Sequence, residues 1–301
     1  MIWQKGINRP MSMAIQLLTK ANPDGFFGGL TEAAVIEYQK GRGLEETGVV
    51  DRNVLDIMVA DGLSLELRIL EMISCFEVGP TTHNAWAATS TVQGDGAGKN
   101  WGVMQVNGIT GGSAYRLKKN YMPAGEDFES WVGSPSGAKG QAQYFLDIIY
   151  PMALRFAMQQ NDPSDRVLAL LCDNITQNGY PLPYYPIRSD SMTKDWKQDD
   201  IFKEWRKAIY KNYKGLMDNR SEYDTTPERE KAYVQKVREA FLVCLDDADS
   251  LGIPRMEAYV ELNPRSGNPD FLDDLLSRRR TVYHGSGRVH DDKYFMEEFG
   301  L

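Results

Sequence analysis

The 301-residue sequence predicts a mainly α-helical protein built in two unequal parts, a three-helix module over residues 1–60 and a larger helical domain over 61–301. Three observations lead there. The opening segment is punctuated by Gly25, Gly28, Gly29, Gly41, Gly43 and Gly48, with short apolar repeats at helical spacing between them. A new periodic stretch follows Ala60-Asp61-Gly62, where Leu65, Ile69, Met72 and Phe76 recur at helical intervals. Two long helical patterns then occupy about 201–217 and 227–250. The length is about twice that of an average single domain.

Composition narrows the class. Hydrophobic residues make up 42% and charged residues 25%, close to the average for globular chains and far from disordered ones. The longest apolar stretch, about 147–158, is interrupted by Pro151 and Arg155, well short of the ~18 apolar residues a spanning helix needs. No membrane insertion is therefore expected. The first twenty residues lack the apolar region and small-residue cleavage site of a secretory signal. Synthesis in the cytoplasm is expected on that ground. Cys75, Cys172 and Cys244 are odd in number and far apart, which reads as reduced core thiols rather than a disulfide framework. A net charge of −8 argues against general affinity for nucleic acid.

In the module, Ala14, Ile15, Leu17 and Leu18 are expected on one apolar face of a first helix, with Ala34, Val35 and Tyr38 on a second. Asp24-Gly25 supplies the turn before the second helix, Thr31 its cap, and Leu55 and Met58 mark a short third helix. The run Asp24-Gly25-Phe26-Phe27-Gly28-Gly29-Leu30-Thr31, continued by Ala34-Val35 and Tyr38-Gln39 and then by Gly43-Leu44 and Thr47-Gly48-Val49-Val50-Asp51, resembles the small peptidoglycan-binding domain found beside many cell-wall hydrolases. The resemblance implies a surface that holds the glycan or stem peptide of murein. The same glycines and apolar positions also serve a three-helix fold with no ligand.

Glu77 ends the next helix and is followed by Val78-Gly79-Pro80, which must stop it. A helix C-terminus carries partial negative charge, so a glutamate there is disfavoured as an anion, the state wanted of a general acid in glycosidic cleavage. Gly94-Asp95-Gly96-Ala97-Gly98 then presents a second carboxylate in a polar, glycine-rich setting. Between the two lie hydrogen-bonding side chains, His83 among them, and Trp86, an aromatic suited to stacking on a sugar. A helix ending in glutamate followed by the aspartate of this glycine-rich segment is similar to the chitosanase family of the lysozyme superfamily. Glu77 and Asp95 match its acid and base. Gly102-Val103-Met104-Gln105 also resembles the corresponding element of goose-type lysozymes and lytic transglycosylases. The resemblance implies a lysozyme-like helical fold around a cleft. Where the chitosanase pattern has a threonine that holds the attacking water, this chain has Asn100.

Downstream, Leu168-Ala169-Leu170-Leu171-Cys172-Asp173-Asn174-Ile175-Thr176-Gln177 looks like the buried helix of those chitosanases that ends at the cleft. Asn174 and Gln177 are then either cleft residues or helix-end hydrogen-bond partners. A helix pair, or one helix kinked at Pro151, is expected over 137–158. The segment 178–200, with Tyr180, Tyr184 and Tyr185, is read as a cleft wall that stacks on sugars or as aromatic packing over the core. Lys203, Arg206, Lys207, Lys211 and Lys214 read best as a solvated helix face, and a last helix is expected over 269–282. Neither a cofactor nor a metal is implied, because His83, His284 and His290 have no ligand spacing.

The expectation is a monomeric, inverting glycoside hydrolase cleaving the β-1,4 bonds of peptidoglycan, with Glu77, Asp95 and Asn100 in catalysis. His83, Trp86, Gln105, Asn174, Gln177 and Tyr180 would bind substrate. Its partner would be a polysaccharide, and delivery to the wall would be by phage lysis or a specialised machine. Chitosan is the alternative substrate, which the acidic charge favours. A non-catalytic wall-binding protein with the same fold is the second alternative.

Overall fold

A computed structural model describes residues 1–91, 98–108, 112–193, 196–216, 226–266 and 269–301. The chain is mainly α-helical, as the sequence predicts, and divides into two compact units, residues 1–155 with 295–301 and residues 156–294.

The first unit opens with α1 (Pro10–Thr19), α2 (Gly29–Gly41), α3 (Arg52–Ala60) and α4 (Leu65–Val78). Pro10 begins α1 where its missing N–H is harmless, Asp51 caps α3 by accepting from Val54 N at 3.0 Å, and Ser64 caps α4 through Leu67 N. Ala14 and Ile15 are buried as expected, but Leu17 is 51% exposed, because the buried face of α1 runs through Met11, Ser12, Ile15 and Gln16 instead. Thr31 does not cap α2. The helix starts two residues earlier, at Gly29, and Thr31 is buried in its first turn.

Helix α4 is buried all round rather than along one stripe, from Leu67 to Phe76, so it is the central rod of the unit. Two of those residues are charged. Glu71 is fully buried and accepts from Arg9 Nε at 2.7 Å and from Met11 N at 3.1 Å. Arg9 also donates to the carbonyls of Gly79 (3.0 Å) and Thr82 (2.7 Å), placing a cation at the C-terminal end of α4. One guanidinium thus fixes the entry to α1 against both the middle and the end of α4. Residues 295–301 pack on the same helices, with Met296 and Phe299 buried and Arg68 donating to the Gly300 carbonyl.

After α4, strands β1 (Thr89–Thr91) and β2 (Lys99–Trp101) pair antiparallel with Ser90 opposite Asn100. Helices α5 (Ser113–Tyr121), α6 (Phe128–Val132) and α7 (Pro135–Tyr144) follow. Residues 137–158 form one continuous helical run, in which a π-helical turn (Phe145–Ile149) joins α7 to α8 (Tyr150–Gln159). Pro151 explains the turn: with no N–H to give, it forces the hydrogen-bond ladder to shift.

The second unit contains α9 (Asp165–Asn178), α10 (Asp200–Asn212), α11 (Pro227–Ser250), α12 (Arg255–Leu262) and α13 (Leu272–His284). Strands β3 (Ser286–Val289) and β4 (Asp292–Phe295) pair after α13. The basic run of α10 is a solvated face, with Lys203 on Asp200 and Lys207 on Glu204 at the surface. The arginines of α13 are not solvated. Arg278 and Arg279 are buried against Asp173 of α9, and Arg280 grips Glu261 of α12 through two hydrogen bonds of 2.7 and 2.8 Å.

Candidate functional site

Two glutamines build the module's turns in the same way. Gln16 Oε1 accepts from Gly25 N at 2.8 Å, nine residues on, while its Nε2 donates to Asp24 Oδ1, the Phe26 carbonyl and Thr31 Oγ1. Gln39 Oε1 accepts from Gly48 N at 2.9 Å, again nine residues on, and its Nε2 donates to Thr47 Oγ1 and the Val49 carbonyl. Each buried amide replaces water for a turn whose glycine has positive φ, +77° at Gly25 and +69° at Gly48. The two turns are therefore a structural repeat that the glycine pattern marks and the glutamines enforce. On the outer surface Leu30 is 84% exposed beside Gly28 and Gly29, an apolar group that this fold does not use for its core.

Glu77 lies half-exposed in the last turn of α4, and His83 is exposed, its carbonyl accepting from Asn8 N at 2.6 Å. Asp95, with Gly94 and Gly96, lies outside the described residues. Asn100 and Gln105 converge on one hydroxyl. Asn100 Nδ2 donates to Ser90 Oγ at 3.3 Å, Ser90 Oγ donates to Gln105 Oε1 at 2.5 Å, and Gln105 Nε2 donates to the Gly102 carbonyl at 2.8 Å. Gln105 takes an uncommon left-handed backbone, φ +47°, to make that reach. The chain of donors leaves Asn100 Oδ1 buried and without a partner among the described residues, an acceptor suited to the hydrogen of a water or a sugar hydroxyl.

Trp86 corrects the sequence reading. The indole is fully buried, its N–H donates to the Gly25 carbonyl at 3.0 Å, and a Cβ on Gly25 would lie 2.7 Å from Nε1. No face of the ring is open to a sugar. Gln141 of α7 completes this core, its Nε2 donating to the carbonyls of Trp86 (3.2 Å) and Val132 (2.8 Å) and its Oε1 accepting from Val103 N (3.0 Å). The Gly102 position is thereby explained: a Cβ there would fall 1.9 Å from Gln141 Oε1.

In the second unit Asn174, Gln177 and Tyr180 come together around Arg279. Arg279 Nη2 donates to Asn174 Oδ1 at 2.6 Å and to Gln177 Oε1 at 2.9 Å. Asn174 Nδ2 donates to Tyr259 Oη at 2.6 Å and to the carbonyls of Pro181 (3.1 Å) and Tyr180 (3.4 Å). Asn174 is fully buried with its amide used on both sides, so of its two readings the helix-end partner is the one that holds, and the cleft role is corrected. Gln177 and Tyr180 remain partly exposed, with Arg238 stacked 3.9 Å from the Tyr180 ring. The residues that composition and spacing did not single out are the buried polar ones, Gln16, Gln39, Arg9, Glu71 and Asp173. Their signal is a polar residue at a core position of a helical repeat.

Among the described residues no helix is long and apolar enough to cross a membrane. Residues 15–58 match the family described as "Putative peptidoglycan binding domain", which covers the second half of α1, α2, both glutamine-held turns and α3 up to Met58. The chain matches no curated protein and no solved structure.

Proposed function

We propose that the chain is a peptidoglycan hydrolase that holds the wall through residues 15–58 and cleaves β-1,4 bonds of its glycan by acid–base catalysis. The observation that carries the reading is the peptidoglycan-binding match, which makes cell-wall association the best-supported property of the chain. In the proposed reaction Glu77 donates its proton to the glycosidic oxygen as the bond from C1 breaks. Asp95 takes a proton from water, whose oxygen bonds to C1 from the opposite face with inversion, a geometry that needs carboxyl groups about 6.5–9.5 Å apart. Asn100 Oδ1 would accept the second hydrogen of that water, a role open to it because it has no partner among the described residues. The test is incubation with purified peptidoglycan and, separately, chitosan: new reducing ends from peptidoglycan support the proposal, and release from chitosan alone reassigns the substrate.

A second reading is a wall-binding protein without catalysis. It is favoured by the fate of two residues expected at a cleft, since Trp86 and Asn174 are both consumed by the folded core. Retention on insoluble peptidoglycan with no product from either polymer would select it.

A further inference from the structure

The second unit carries a cavity of about 370 Å³, whose lining includes Gln177, Asn178, Tyr184, Tyr185, Glu230 and Asn263. Its polar edge is set from beneath by charge. Arg279 only donates, so the Gln177 oxygen must face the guanidinium and the Gln177 amino group must face away from it. Arg279 fixes Asn174 in the same sense, oxygen toward the cation, and Asn178 Nδ2 then donates to that oxygen at 2.6 Å. That bond uses the Asn178 amino group and leaves its carbonyl oxygen as the available acceptor. Asp173 holds Arg279 through Nη1 at 2.7 Å, so a buried ion pair dictates the orientation of both amides. Adjacent residues thus present one N–H donor and one C=O acceptor, neither of which has a hydrogen-bond partner among the described residues.

Beside this pair stand two aromatic rings the core does not bury, Tyr184 at 41% and Tyr185 at 46% exposed. Arg238 lies over Tyr180 and Tyr184, at 3.9 and 4.8 Å, and holds the aromatic wall in place. A concave site with aromatic walls and a few oriented polar groups is the usual form of a small-ligand pocket. A secondary amide matches the polar pair at both points: its carbonyl accepts from Gln177 and its N–H donates to Asn178. A pyranose ring supplies the flat face that tyrosine covers.

We propose that this cavity binds an N-acetylated hexosamine of a glycan, the acetamido group on Gln177 and Asn178 and the sugar ring against Tyr184 and Tyr185. It is a glycan site in the unit that lacks residues 15–58, built on Gln177 and the tyrosines the sequence marks as sugar-binding, and it rests on the reading above for the chemistry of the wall polymer.

The test uses the full chain with tri-N-acetylchitotriose as the probe, read by calorimetry and by hydrogen exchange of the peptides spanning 174–185. Gln177→Glu keeps an oxygen for Arg279 and replaces the donor with a second carboxylate oxygen, whose charge the Arg279 guanidinium partners, so the fold is retained. Both Gln177→Glu and Tyr185→Ala should weaken the triose about tenfold, and the fully deacetylated trimer, which lacks the amide, should bind at least tenfold more weakly than the acetylated one. Exchange should slow in 174–185 of the wild type and not in Gln177→Glu. The proposal is overturned if the triose protects only residues 15–58, if Gln177→Glu binds it as the wild type does, or if the deacetylated trimer binds as tightly, since Glu230 rather than the amide pair would then select the ligand. An N-acetylated muramyl stem peptide that binds through its peptide alone also overturns it. Sedimentation of the same variants with insoluble peptidoglycan is scored separately: loss there by the wild type counts against the wall-binding reading and leaves the triose result standing.

Discussion

Replacing Asp173 by asparagine tests the claim that α9 and α13 are held together by a buried charge network. Asp173 is fully buried and accepts from Arg278 Nε at 2.8 and 3.0 Å and from Arg279 Nη1 at 2.7 Å, with Arg279 itself fully buried. Burial pulls the Arg279 guanidinium below its ordinary value and the Asp173 charge opposes that shift. Asparagine keeps one acceptor but turns an amino group toward a guanidinium and removes the carboxylate that the two buried cations share. Breaking a buried pair in this way costs about 3–5 kcal/mol, a large part of the roughly 5–15 kcal/mol that holds a domain folded. With a urea dependence of about 2 kcal/mol per molar, a loss of about 4 kcal/mol moves the unfolding midpoint of the second unit down by about 2 M. Urea titration followed by circular dichroism reads that shift directly. A shift below about 0.5 M would refute the reasoning, because the network would then contribute no more than an exposed ion pair.

Three further outcomes follow from the first unit. Gly25→Ala forces a side chain into a φ of +77° and within 2.7 Å of Trp86, so it should lower stability by about 1–3 kcal/mol. Adding Trp86→Phe removes the struck atom, and thermal melts of the double variant should show less than the sum of the two single losses; strict additivity would mean that the contact is not strained. The Tyr38 phenol is pushed up to about 12, by burial first and then by its hydrogen bond and proximity to Asp61, against the opposing charge of Arg42. A raised phenol favours the protonated form, so its contribution is complete below about pH 10 and is lost as pH climbs toward 12. Stability profiles of Tyr38→Phe and wild type should converge over that window, and parallel profiles would exclude the Asp61 contact as the cause.

The module was legible because its signals are local. A glycine that needs positive φ and an apolar residue one helical turn away both sit within about ten residues of what they determine, as at Gly25 and Gly48. Partners distant in sequence were not legible. Trp86 reads as a sugar platform until Gly25, 61 residues earlier, is found against its N–H. The sequence gives no sign that Arg278, Arg279 and Arg280 are paired, since a buried cation and a solvated one look alike until Asp173 and Glu261 supply the anions. Helix α4 shows a stripe in its strongest apolar residues, yet Arg68, Glu71 and Ser74 on its other faces are buried too, because each finds a polar partner there. Of the candidate site, Asn100 and Gln105 do meet, through Ser90, a contact that a two-stranded register creates and linear spacing does not display.

The central claim is tested most directly by comparing wild type and Glu77→Gln for release of reducing ends from purified peptidoglycan, alongside retention of each on the insoluble polymer. Glutamine preserves size and the helix end while removing the transferable proton. The account predicts product from the wild type, a loss of at least ~10²-fold in the variant, and equal retention of both proteins through residues 15–58. Equal product from the two proteins would contradict Glu77 as the acid, and product from neither while both are retained would leave a protein that binds the wall without cutting it.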